Sequence, residues 1–141
     1  MGLGETIFRV MNNGHTRWYQ TMGGRFAGRN LLLLTTTGRK SGRQRVVPLR
    51  RIEDGDNLLV AGSVGGAPQH PGWYFNLEAN PAVQVQVGKN MEDRTARIAE
   101  GEERDRLWQM FVAADKRFAS YEGKTDRVIP VVVLSPDPGH E

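Results

Sequence analysis

The run Thr35-Thr36-Thr37-Gly38-Arg39-Lys40-Ser41-Gly42-Arg43-Gln44-Arg45 sets four cations and two kinds of hydroxyl around two glycines, directly after the apolar stretch 31–34. These residue types suit a multiply charged anion. Glycine lets the backbone turn and come close to a ligand, the freed amides can face it, and Arg forks and a Lys point charge supply attraction. Residues 6–52 hold ten Lys/Arg and no Asp or Glu, whereas the rest of the chain holds nine basic and sixteen acidic residues, so a net charge of +3 hides a basic first third. Cations without acids among them repel one another unless something offsets them, which favours a bound anion over the alternative of a solvated sheet-edge turn. The run is not a triphosphate P-loop, because Arg39 separates Gly38 from Lys40 and Leu33 stands where the first glycine belongs.

Other chemistry is sparse. His15, His70 and His140 have no metal-ligand spacing, and the absence of cysteine removes thiolate nucleophiles, disulfides and Cys-based metal sites. No metal is expected. Ser63 has no base at a motif spacing, so hydrogen bonding is its expected role. His70 lies between Pro68 and Pro71 and reads as a structural donor rather than a base.

The elements that position these residues follow from periodicity. Ile7, Val10, Met11, Gly14 and Trp18 fall at helical spacing, so residues 1–30 are read as an amphipathic helix and lead-in. That helix either packs on the domain or touches an anionic membrane surface through residues 5–20. Residues 31–36 read as a buried strand, and residues 45–52 as a second strand with Val47 and Leu49 on one face, demoted to an edge by Pro48. Asp54-Gly55-Asp56-Asn57 is a hairpin turn into residues 58–62. The Gly/Pro-rich stretch 63–71 is irregular and opens a short helix over 72–78, stopped at Asn80-Pro81. Val83, Val85 and Val87 alternate with Gln84 and Gln86, and a return strand over 93–99 follows the turn 88–90. Glu102 and Glu103 begin a helix, Phe118 and Tyr121 lie in a loop, and residues 128–134 form a last strand. Hairpin links dominate over βαβ crossovers, so the expected fold is mainly β with peripheral helices: a small antiparallel barrel over 31–136 and a tail at 137–141. No stretch is long and apolar enough for a spanning helix, and residues 1–10 lack the regions of a secretory leader.

The glycine-rich turn, Ala61-Gly62-Ser63, Gly65-Gly66-Ala67-Pro68, His70-Pro71-x-Trp73 with Asn76-Leu77, Asn80-Pro81 and Thr125-Asp126-Arg127-x-Ile129-Pro130 together resemble the deazaflavin-dependent nitroreductase family over about residues 31–136. The resemblance implies a split β-barrel of FMN-binding-like type that binds coenzyme F420. Its reduced form, F420H2, would give a hydride to a small hydrophobic acceptor: a quinone, a nitroaromatic or an activated alkene. It further implies that Arg39, Lys40, Ser41 and Arg45 meet the phosphate and glutamate tail, and that Val46, Val47 and Pro48 wall the ring slot. Ala61, Gly62, Ser63 and Val64 would run under the ring. Gly72, Trp73, Tyr74, Phe75 and Asn76 would close the other side, and Phe118 and Tyr121 would cover the substrate space.

Tyr121 or Ser63, or solvent, would supply the proton that follows hydride transfer. Trp73 and Phe75 also read as packing residues, and Asn76 as a local cap. Only Tyr121 stands as a tyrosine in 115–121, where nitroimidazole-activating members carry several, and Val64 stands where a lysine can occur. Three other readings use the same residues: an FMN-dependent split-barrel enzyme, a basic nucleic-acid-binding module, and a non-catalytic F420 carrier. The surplus of cations over 39–51 favours F420 over singly phosphorylated FMN, and the lack of a recognition-helix, RRM or zinc-finger signature disfavours nucleic acid. The resemblance places the protein in an actinobacterial or archaeal cytoplasm or on the inner face of the membrane. The oligomeric state stays open.

Overall fold

Side chains on a strand point alternately to opposite faces, so a continuous apolar run means a strand covered on both sides. The computed structural model describes residues 30–137, and their strands obey this rule. In chain order these residues form β1 (Leu31–Thr37), β2 (Gln44–Arg50), β3 (Ile52–Asp54), β4 (Asn57–Ala61), a 3-10 turn (Val64–Gly66), α1 (Gly72–Ala79), β5 (Ala82–Val87), β6 (Asn90–Ile98), α2 (Gly101–Ala114), α3 (Arg117–Gly123) and β7 (Val131–Pro136). The strands make one antiparallel sheet in the order β2-β1-β5-β6-β7-β4-β3. It curls into a half-barrel that brings β2 against β4. Consecutive strands β2 and β3 therefore lie at opposite edges of the sheet, and the chain steps across the open seam at Arg51.

Two cores result. Leu58 and Val60 of β4 and Val132 and Leu134 of β7 face the inside of the curl with Leu32, Leu34, Val83 and Val85, plugged by Trp73 and Leu77 of α1. Their neighbours Leu59, Ala61, Val131 and Val133 face outward under Leu107, Trp108 and Phe111 of α2 and Phe118 of α3. Each fully buried side chain of this kind contributes about 1.5–3 kcal/mol. Val47 and Leu49 pack on the inner core as their alternation predicts, and Pro48 is tolerated because β2 is an edge strand.

Several boundaries differ from the sequence reading. The strand expected over 45–52 ends at Arg50, and Ile52 opens β3 at the opposite edge of the sheet. Residues 117–123 are a helix rather than a loop, because the Asp115 carboxylate accepts the Arg117 backbone N–H at 3.0 Å and so starts a turn. The last strand begins at Val131 rather than 128, since Pro130 has no N–H for a ladder and Val128 is exposed. β6 starts at Asn90, leaving a two-residue turn with Gly88 at φ 61°. The irregular stretch contains a 3-10 turn in which Gly66 has φ 84°; a side chain there would meet the Tyr121 carbonyl at 2.8 Å, so glycine permits the close docking of α3. The helix expected over 1–30, with its membrane-contact segment 5–20, lies outside the described residues, as does the tail beyond Asp137.

Candidate functional site

Two cavities open along the seam, and both use β2 and α1. The smaller, about 220 Å³, is lined by Gly38, Arg39, Lys40, Ser41, Arg45 and Asn76. Its floor is the β1–β2 turn, closed by Gly38 N–H to the Arg43 carbonyl at 2.7 Å and Gly42 N–H to the Gly38 carbonyl at 2.9 Å. Gly42 takes φ 72° to allow this. The Ser41 Oγ accepts the Arg43 N–H at 3.1 Å, which fixes the far side of the turn.

Asn76 holds that turn from below. Its Oδ1 accepts both the backbone N–H of Arg39 (3.2 Å) and the Arg39 Nη1 (3.1 Å), while its Nδ2 donates to Thr36 Oγ1 at 3.3 Å. Buried at 7% exposure, it is a tertiary clamp and not the local cap that sequence reasoning allowed. Phe75 lies under the Arg39 guanidinium at 5.2 Å, a cation–π contact that fixes the same side chain without lining either cavity. Lys40 and Arg45 have no acidic partner among the described residues, so this cavity carries uncompensated positive charge.

The larger cavity, about 430 Å³, sits where the curled sheet meets the helices. Val47, Pro48, Leu49 and Arg50 of β2 form one wall; Ala61, Ser63, Gly65 and Pro71 form another. Trp73, Asp115, Arg117, Phe118, Tyr121 and Leu31 complete the lining. Phe118 is held by the Trp108 and Phe111 rings at 5.9 and 5.2 Å, and Tyr121 meets Phe118 edge-on at 5.5 Å. The lining is thus largely apolar, with Ser63 and Tyr121 as hydroxyls and Arg50, Asp115 and Arg117 as charged groups.

Most of the expected residues come together: Val47, Pro48, Ala61, Ser63, Trp73, Phe118 and Tyr121 in the larger cavity, and Arg39, Lys40, Ser41, Arg45 and Asn76 in the smaller. Val46, Gly62, Gly72, Tyr74 and Phe75 line neither. The Gly62 N–H is engaged by the Pro130 carbonyl at 2.9 Å, and a side chain there would meet Pro130 Cγ at 2.9 Å, so that glycine serves packing. Val64 belongs to the 3-10 turn. Tyr74 packs against His70 with the rings tilted by 44° and their centroids 4.6 Å apart, and its hydroxyl pKa is raised by burial and by Glu78.

His70 is structural, but as an acceptor and not the donor expected. Arg127 Nη1 stands 2.9 Å from His70 Nδ1, and a guanidinium only donates, so Nδ1 accepts and the ring is neutral. Burial, and then the Arg127 charge, lower its pKa. The same guanidinium donates to the Ala67 and Ser63 carbonyls, both at 2.9 Å, tying the irregular stretch to the chain before β7.

Sequence reasoning missed Arg50, Asp115 and Arg117 as lining residues. Asp115 accepts Arg117 Nε at 3.1 Å (Oδ1) and 3.0 Å (Oδ2) and Arg117 Nη2 at 2.6 Å, and those contacts hold its carboxyl down at about 2. Arg50 Nη1 lies 4.0 Å from the same carboxylate. The available signal was Asp115 two residues ahead of Arg117, with Phe118 and Tyr121 at helical spacing. Among the described residues no helix is long and apolar enough to cross a membrane, and no group of three or more His, Cys, Asp or Glu could hold a metal ion.

Comparison with known proteins gives the family and the fold. Residues 7–136 match the family described as F420H(2)-dependent quinone reductase. An F420H(2)-dependent quinone reductase of Mycobacterium tuberculosis is 43% identical over 107 residues, 74% of this chain and 72% of its own. The solved structure of an F420-H2 dependent reductase (FDR-A) superposes with a TM-score of 0.70 at 50% identity, covering 76% of this chain and 95% of that one. A Listeria innocua protein assigned as a pyridoxamine 5'-phosphate oxidase shares the fold alone, at 14% identity and a TM-score of 0.57 over 84% of this chain and 93% of that one.

Proposed function

This chain belongs to the F420H(2)-dependent quinone reductase family, and we propose that it reduces a quinone with reduced coenzyme F420 as the electron donor. One observation carries the reading: a cationic cavity and a largely apolar cavity share one strand and one helix. On β2 the step from Arg45 to Pro48 spans about 10 Å, and on α1 the step from Asn76 to Trp73 is about one turn. A ligand with an anionic tail and a flat ring fits that pair, and the residues present suit the cofactor. The cationic cavity holds three basic side chains and no acid, and its Gly38 is so tightly packed that a Cβ would come 3.1 Å from the Arg43 carbonyl.

Bound there, the cofactor would supply a hydride. Arg39, Lys40 and Arg45 would hold its phosphate and glutamate tail, with Ser41 adding a hydroxyl. Val47, Pro48 and Trp73 would restrict the ring to one plane, and Phe118 would keep water from the reacting face. A quinone gains a hydride and one proton to become a hydroquinone; Tyr121, Ser63 or a water beside them donates that proton. His70 takes no part, since it lines neither cavity and its Nδ1 is engaged by Arg127. The same reading keeps the protein in the cytoplasm or at the inner face of the membrane.

The test is fluorescence titration with F420 and with FMN, repeated on a Lys40→Ala, Arg45→Ala variant. We expect micromolar or tighter F420 binding. Losing two charge-assisted contacts at about 1.5–3 kcal/mol each weakens binding by more than about 100-fold. Binding of FMN alone would move the protein to a flavin chemistry, and binding of neither would sink the proposal.

A further inference from the structure

The lining of the large cavity is not wholly apolar. Arg50, Asp115 and Arg117 all line it, beside Tyr121. Arg50 is five residues from Arg45 along β2, about 16–17 Å, and an odd step sets the two side chains on opposite faces of the strand, so Arg50 stands apart from the cationic turn. The strand ends there, where the chain crosses the seam, and alternation turns Pro48 and Arg50 away from the core-facing Val47 and Leu49.

Charge within the cluster is divided unequally. Asp115 gives both oxygens to Arg117, through Nε and Nη2, and accepts the Arg117 backbone N–H as well. That carboxylate is committed. Arg50 receives little from it: Nη1 at 4.0 Å is at ion-pair distance and beyond hydrogen-bond distance, and the buried Nε has no hydrogen-bond partner among the described residues. Arg50 is only 25% exposed, so water compensates this guanidinium poorly. Two guanidiniums and one carboxylate leave one positive charge in the cavity wall, and Arg117, 74% exposed, sits at the solvent side of it.

We infer that Arg50 selects the electron acceptor, favouring quinones that carry an ionised oxygen substituent, such as a hydroxyquinone enolate or a carboxylate beside the ring. This inference rests on the quinone-reductase reading and names the acceptor class for the same site. Asp115 and Arg117 have a positioning role: the clamp between them keeps the carboxylate from turning to Arg50 and cancelling its charge. A neutral, fully apolar quinone would leave the buried Nε unpaired, which costs binding. An anionic oxygen would accept from Arg50 Nε and an Nη in the forked geometry that guanidinium offers.

The experiment is an equilibrium titration of the protein loaded with oxidised F420, in which no turnover occurs, with a hydroxynaphthoquinone ionised at neutral pH and with neutral menadione. Wild type should bind the anion at least about tenfold more tightly, and the preference should weaken with added salt. Arg50→Met should reduce the preference to less than about twofold while F420 still binds; Arg50→Lys, which keeps the charge and loses the fork, should retain part of it. With the reduced cofactor the same variants should raise KM for the anionic acceptor far more than they change kcat. Equal binding of the two quinones by wild type overturns the inference without any variant, and so does an undiminished preference in a folded Arg50→Met protein. Failure of F420 to bind overturns the functional reading and this inference with it, whereas F420 binding without charge preference overturns this inference alone.

Discussion

The two cavities are built in different ways. The cationic one comes almost whole from a single turn, Gly38 to Arg45, with Asn76 as the one distant contributor. The large one draws its walls from β1, β2, β4, the 3-10 turn, the lead-in to α1, α1 itself and the α2–α3 corner, and no two consecutive elements suffice to make it. A site made by local sequence depends on its own charges, while a site made by tertiary packing depends on the core behind it. The comparison therefore predicts that damage to the outer core should empty the large cavity and spare the small one.

Phe118→Ala is the strongest way to break that comparison. The ring is 7% exposed and packs against Trp108, Phe111 and Tyr121, so its removal should cost about 3–5 kcal/mol through lost burial and a residual void. The expected outcome is a large fall in denaturant midpoint and in quinone turnover, with affinity for F420 changed far less, because α3 lies away from Arg39, Lys40 and Arg45. If F420 affinity fell as steeply as stability, the two cavities would be one cooperative unit.

Asn76→Ala tests the single thread that joins them. It would remove the acceptor for Arg39 N–H and Nη1 and the donor to Thr36 Oγ1, leaving part-buried groups unpaired at a cost of about 1–3 kcal/mol. Trp73, one helical turn away, should stay in place. F420 affinity should therefore drop, by about tenfold if Arg39 swings free, while binding of a tail-less deazaflavin ring is unchanged. Equal loss of both would mean that α1 shifts as a body.

The same division explains what could be read from the sequence. The basic turn was legible because its residues are neighbours and their charge is visible without a fold. The half-barrel was legible because β4 and β7 alternate between two buried faces and because Asp54-Gly55-Asp56-Asn57 announces a hairpin. Asn76 was visible as a residue, but its role depends on partners 37 and 40 positions away, which periodicity does not encode. Arg50 read as one more cation in a basic run until the sheet curled and set it opposite Asp115. The helix at 117–123 escaped because its first turn is started by a side-chain bond from the Arg117 N–H to Asp115, and a helix of seven residues carries little periodic signal.

The smallest expected effect lies at His70 and sharpens the comparison from the side of the large cavity, since Arg127 links that ring to the Ser63 carbonyl in the cavity wall. Burial and the Arg127 charge lower the His70 pKa from its ordinary 6.5, and Glu78 opposes them weakly. A lowered pKa means that the unfolded chain takes up the proton first on acidification. The contribution of this contact is therefore complete above about pH 6.5 and is lost as pH falls through the lower folded value. His70→Asn keeps an acceptor for Arg127 and removes the titration. Thermal midpoints of the two proteins should run parallel above pH 6.5, and wild type should fall below its partner as pH drops toward 5, since the carboxylates common to both cancel in the difference. Wild type gaining on the variant in acid would mean that His70 is protonated in the fold, and the Nδ1 acceptor assignment would have to be reversed.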